Sequence, residues 1–183
     1  MCYTIADAKM QGDDIHWFAV KVRQEVRAEK FFNTHCREVF FPREEIRTPG
    51  GLVRTLAVIP HVMFIRTSAD NALALEQEGR QQAGQTVPFW IYRYSKGEAI
   101  QPIGDEQIHL LRLLTSSDSS KCEIFRKSDF KRGELVRVTG GIYQGYVGTV
   151  QRVRKNKHVV VEIEGICMVM LPFIHPDLLE PIS

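Results

Sequence analysis

Residues 131–153 read KRGELVRVTGGIYQGYVGTVQRV. Val136 and Val138 alternate with Arg137, which is the period of a half-buried strand. Gly140 and Gly141 tolerate positive φ, so the chain can reverse there. Gly145 and Gly148 fall where a side chain would crowd a tight bend or bulge. A second strand follows over Val147–Val153. Downstream, Val159–Ile163 and Ile166–Leu171 read as further strands, and the basic turn Arg154-Lys155-Asn156-Lys157-His158 joins the first of these to its predecessor. Short strands with glycine turns in so few residues predict a small closed β-barrel over 130–183. The β-branched valines and repeated glycines of this segment oppose any helical alternative.

Upstream the pattern differs. Ile15–Val22, IHWFAVKV, alternates sides: Phe18, Val20 and Val22 share one face and Trp17, Ala19 and Lys21 the other. A helix is predicted over about 24–35, with Glu25 and Glu29 near its start suiting the macrodipole. Glu38–Thr48 reads as a strand broken at Pro42, and Pro49-Gly50-Gly51 turns it into Leu52–Val58. Ile59–Ile65 is almost wholly apolar and predicts a central strand. Asp70 is a candidate N-cap for a helix over Asn71–Gly79. Pro88–Tyr94, PFWIYRY, is aromatic and β-prone, and a final helix is expected over Glu106–Leu114. The serine-rich run Thr115–Ser120 lacks periodicity and reads as a linker. The expected organisation is therefore a flexible start (1–14), an α+β domain with an antiparallel sheet flanked by helices (15–115), a linker (116–129) and the barrel (130–183).

Composition narrows the function. The chain of 183 residues is 44% hydrophobic and 25% charged, with a net charge of only +2. Basic and acidic residues nearly cancel in each half, so nucleic-acid binding by bulk phosphate neutralisation is not expected. Cys2, Cys36, Cys122 and Cys167 are widely spaced, without Cys-x-x-Cys, which fits neither a zinc site nor a disulfide scaffold. No signal peptide and no membrane-spanning run is evident, so a cytoplasmic protein, monomeric and without cofactor or metal, is expected. Catalysis finds little support. Asp13-Asp14-x-His16 lacks partners at ligand spacing, and the side chains of Thr34-His35-Cys36 point about 100° apart per residue on a helix.

The glycine stretch, Gly141-x-Tyr143-x-Gly145-x-x-Gly148-x-Val150 after a Val-x-Val strand, resembles the KOW motif of NusG-type transcription factors. The front half carries the same resemblance. Trp17-Phe18-Ala19-Val20 is similar to the Trp-Tyr-x-Val opening of a NusG amino-terminal (NGN) domain. Val39–Glu45 is similar to that family's apolar-Pro-x-Glu segment, and Ile59–Ile65 to its Phe-Pro-Gly-Tyr-Val-Phe-Val run. Pro102-Ile103-x-Asp105-x-Gln107-Ile108 resembles the lead into its last helix. His61 and Val62 stand where the family has Gly and Tyr.

The resemblance implies a transcription elongation or antitermination factor whose front domain binds the clamp helices of the largest RNA polymerase subunit and suppresses pausing. Carried over by position, Ile59, Val62 and Phe64, with Trp17 or Phe18, are the expected polymerase contacts. Arg23, Gln24, Arg27 and Lys30, on the polar side of the first helix, are the expected contacts to non-template DNA. The barrel is expected to recruit termination factor Rho or a small-subunit ribosomal protein. The departures at His61 and Val62 and the serine linker look most like the specialised antiterminators of capsular-polysaccharide operons in Bacteroides-type bacteria, the UpxY group. The competing expectation is an RNA-binding or ribosome-associated KOW module. There Arg152, Arg154, Lys155, Lys157 and His158 would grip phosphate, and Tyr143 or Tyr146 would stack a base.

Overall fold

The structure, a computed structural model, describes residues 14–47, 50–81, 87–94, 99–116, 123–125, 133–153, 156–172, 174 and 178–182. They group into two compact units. The described residues of Met1–Phe41 and Pro60–Gly104 form one, and those of Pro42–Ile59 and Asp105–Ser183 form the other.

The first unit is built on β1 (Ile15–Val22), where the sequence places it, followed by α1 (Glu25–His35) and β2 (Glu38–Phe40). In the second unit, Pro42 stops that run as expected, and β3 (Arg43–Arg47) and β4 (Val53–Ala57) form a separate two-stranded hairpin. β5 (Val62–Ser68) returns to the first unit. It begins three residues later than the apolar run suggests, because Pro60 and His61 make a turn.

Helix α2 (Ala69–Gln81) is capped by Ser68, whose Oγ accepts the Asn71 N–H at 3.3 Å. Asp70 is thus a first-turn acid and not the expected cap. β6 (Phe89–Ile91) and β7 (Pro102–Ile103) complete the sheet, in the order β2-β5-β1-β6, with β7 also on β1. All these pairings are antiparallel.

Registers assign the faces. Phe18, Val20 and Val22 lie opposite Ile65, Met63 and Phe89. α1 covers this face through Phe32, packed edge-on to Phe89 with ring centroids 4.8 Å apart. α2 joins it through the Asn71 amide on Thr67 Oγ1, 2.8 Å, and through Glu76. That carboxylate is buried, accepts the Ile91 N–H at 2.9 Å and pairs with Arg93 at 2.6 Å. Burial alone would raise its pKa. The hydrogen bonds from Arg93 and Ile91, with the charges of Arg93 and Arg80, outweigh that and hold it below the ordinary carboxylate value.

The second unit contains α3 (Asp105–Thr115) and a six-stranded antiparallel sheet, β13-β9-β10-β11-β12-β8. β9 (Leu135–Val138) and β10 (Val147–Val153) match the sequence reading, while β11 (Asn156–Ile163) extends into the basic turn. β12 is Cys167–Met170. Two strands escape the sequence: β8 (Glu123–Phe125), inside the expected linker, and β13 (Leu179–Pro181). The expected closed barrel is corrected to an open sheet among the described residues. Its end strands β8 and β13 are three residues each and pair only with β12 and β9, so no ladder joins the edges. No helix among the described residues is long and apolar enough to cross a membrane.

Candidate functional site

The glycine turn is built as its sequence requires at two points. Gly141 and Gly145 take positive φ, 80° and 91°, and Gly145 N–H donates to Val138 O at 2.8 Å to close the reversal. Gly148 has a different role. A Cβ there would stand 2.6 Å from Val160 O, so β10 and β11 approach only because it is bare. Gly140 is not in the positive-φ region. Tyr143 is buried beneath the turn, Val150 is half-buried, and Ile142 is left 68% exposed at the tip.

This arrangement weakens the expectation of RNA grip by the rear half. Tyr143 has no open ring face to offer, and Tyr146 donates its hydroxyl to Glu106 O at 3.2 Å. Burial, and secondarily the Glu106 charge, push the Tyr146 pKa up. An open cavity of about 610 Å³ beside this turn is lined by Asp105, Glu106 and Glu162 and, among the described residues, by no lysine or arginine, the wrong sign for phosphate. The side chains of Arg152, Arg154, Lys155 and Lys157 lie outside the described residues.

The five expected polymerase contacts divide. Trp17, Val62 and Phe64 share the sheet face opposite the two helices, while Phe18 points to the helices. Ile59 precedes the Pro60-His61 turn and belongs to the second unit. All five are buried, Trp17 at 3% exposure, so their side chains are core in this structure and offer no open apolar patch. Phe40 stacks on Phe64, centroids 6.0 Å apart, and Arg66 lies 5.7 Å over the Trp17 ring while pairing with Glu38.

The same face opens at one end. Lys21 is exposed and sits directly opposite Trp90 of β6, which is 40% exposed. Phe89 and Ile91 are buried and Arg93 reaches Glu76, so Trp90 and Tyr94 project to the other side, and Tyr94 is exposed too. Arg23 lies over the Trp90 ring, 5.4 Å from its centroid.

Of the expected DNA contacts, Arg23, Gln24, Arg27 and Lys30 are all exposed. Arg23 is drawn to the Trp90 edge, and Gln24 sits at the start of α1 with no side-chain cap bond. The sequence pattern flagged PFWIYRY as a strand. That Trp90 would be the open aromatic followed only from the register.

Next to this edge is the one strained backbone position among the described residues. His61 has φ 65°, the left-handed region, where the resembled family carries Gly. Glu25 Oε1 accepts the His61 N–H at 3.1 Å and lies 3.3 Å from Nδ1, and His61 O accepts the Val22 N–H at 2.8 Å.

No metal-holding group of His, Cys, Asp and Glu occurs among the described residues. Burial pushes the Cys36 thiol up to about 11, which leaves the Thr34-His35-Cys36 run without a thiolate nucleophile near neutral pH.

No family model matches the chain. Over 74 residues it is 35% identical to the transcription termination/antitermination protein NusG of Borreliella burgdorferi. The match covers 39% of this chain and 40% of that protein, so the likeness spans about two fifths of either. A crystal structure of an MjSpt4:Spt5 complex aligns with 91% of this chain and 97% of its own, at 15% identity and a TM-score of 0.26. The likeness to a NusG protein holds over that 74-residue stretch, while the described residues themselves give an α+β front half and an antiparallel sheet in the rear half.

Proposed function

We propose that this chain is a transcription elongation and antitermination factor. Its front half, 15–115, docks on the clamp helices of the largest RNA polymerase subunit and holds the enzyme in processive elongation. The observation that carries the reading is the aromatic edge at Trp90. A sheet face otherwise sealed by Trp17, Val62 and Phe64 ends in an exposed tryptophan beside Lys21 and Arg23. Exposed Trp, Tyr and Arg at the border of a packed face are the composition of interface hot spots. The 74-residue likeness to a NusG protein supports the same direction.

Three finer roles belong to this reading. Of the four expected DNA contacts, exposed Gln24, Arg27 and Lys30 serve the displaced non-template DNA strand as it passes the polymerase surface, while Arg23 is held at the Trp90 edge. The KOW-type half, 130–183, recruits Rho or a small-subunit ribosomal protein, and Ile142 is an apolar side chain in the open at its turn. The factor acts on chosen operons, such as capsular-polysaccharide loci, a reading supported by the departures at His61 and Val62.

The test is in vitro transcription by purified polymerase across a pause site and a terminator, with and without the protein. Read-through and shortened pauses are expected. Trp90→Ala should cost about 2 kcal/mol of binding, some thirtyfold in the concentration needed. Unchanged pausing with saturating wild-type protein would sink the proposal, and full activity of a folded Trp90→Ala protein would misplace the docking edge.

A further inference from the structure

The charge around the aromatic edge specifies what it meets. Lys21 and Arg23 are exposed, and neither has an ion pair among the described residues. The nearest carboxylate in sequence, Glu25, is committed to the N–H and ring of His61. Two cations without an ion pair among the described residues therefore flank Trp90, one of them stacked on it. We infer that the Trp90 edge, with Lys21 and Arg23, is a docking site for an acidic protein surface, one that presents carboxylates around an apolar side chain. This inference rests on the proposed docking role and adds the chemistry of the partner.

Three considerations favour this occupant. Complementary charge around an aromatic anchor is what gives a protein contact its register and on-rate. Val62, buried directly opposite Lys21 on the neighbouring strand, makes the ground beneath the cations apolar, which suits a contact with an apolar centre and charged rim. The guanidinium of Arg23 already occupies one face of the indole, so a nucleobase has only the other face to stack on, a poor platform for successive bases.

The reporter is built in. Of the two tryptophans, Trp17 is buried and Trp90 is exposed, so an emission change on binding reads Trp90. The full chain is titrated with three probes: an amphipathic helical peptide of Leu and Glu, its counterpart of Leu and Lys, and oligo-dT. The Leu/Glu peptide should shift and quench the emission, its affinity should fall with added salt, and the Lys21→Glu/Arg23→Glu double variant should weaken it about tenfold or more. Both positions are exposed, so the variant keeps its fold, which circular dichroism verifies. The inference is overturned if the Leu/Glu peptide fails to bind, if the Leu/Lys peptide binds as well, if charge reversal changes nothing, or if oligo-dT binds more tightly than the acidic peptide. Capture of purified polymerase by the wild-type chain, measured in parallel, decides the proposed function independently of this result.

Discussion

Replacing His61 by glycine should stabilise the first unit relative to replacing it by alanine, and the difference isolates backbone strain. His61 holds φ 65°, where an L side chain costs about 1–2 kcal/mol because Cβ crowds the following carbonyl. Glycine escapes that cost but carries about 0.4–1 kcal/mol more chain entropy in the unfolded state. The imidazole contact to Glu25 is lost in both variants, while the backbone N–H that Glu25 accepts and the carbonyl that Val22 uses remain in both. The comparison therefore nets about 0.5–1 kcal/mol in favour of His61→Gly. For a chain of 183 residues this is a Tm gap of about 2–4 °C for each kcal/mol. Urea unfolding followed by the emission of buried Trp17 reads the same unit directly. Equal midpoints, or an alanine variant more stable than the glycine one, would mean that the turn relaxes out of the left-handed region and that the strain assigned to it does not exist.

Other expectations are as specific. Gly148→Ala places a methyl 2.6 Å from Val160 O and 2.8 Å from Val159 Cγ1, which should cost about 1–3 kcal/mol and loosen β10 from β11 in hydrogen exchange. Glu76 has its pKa held below the ordinary value in the fold, so its contribution is present above the unfolded carboxylate pKa and lost as pH falls through the folded one. Glu76→Gln should cost about 2 kcal/mol near neutral pH and flatten the acid limb of a stability-versus-pH curve. Cys36 and Cys167, their thiols raised by burial to about 11 and about 12, should react with iodoacetamide at pH 8 far more slowly in the folded chain than in urea, as mass spectrometry of the labelled peptides would record.

Much of the fold was legible because local rules and tertiary structure agree. IHWFAVKV alternates, and β1 occupies those eight residues. Pro42 breaks a strand and Gly50-Gly51 turn it, so the β3–β4 hairpin falls where the punctuation puts it. Besides the two-residue β7, the strands that escaped are β8 and β13, three residues each, with no period to detect. Their pairing with β12 and β9 is decided by neighbours distant in the chain. The barrel reading failed for a related reason. Strand density predicts a sheet, but closure depends on the two edges meeting, and no local pattern encodes that.

The site was legible only in part, since alternation states that a strand has two faces and not which of them stays open. Trp17, Val62 and Phe64 were placed on one patch by resemblance, and they do share a face, but that face is sealed where they stand. Phe18, one residue from Trp17, belongs to the opposite face, as a period of two requires. The open end of the patch depends on β6 reaching only to the Lys21 end of β1, which leaves Trp90 on the last strand of the sheet order among the described residues. Charge adds what hydropathy omits. A lysine opposite a tryptophan on a mostly apolar face looks like an interruption in sequence, yet in the fold it marks where the core stops and where we propose that a partner docks.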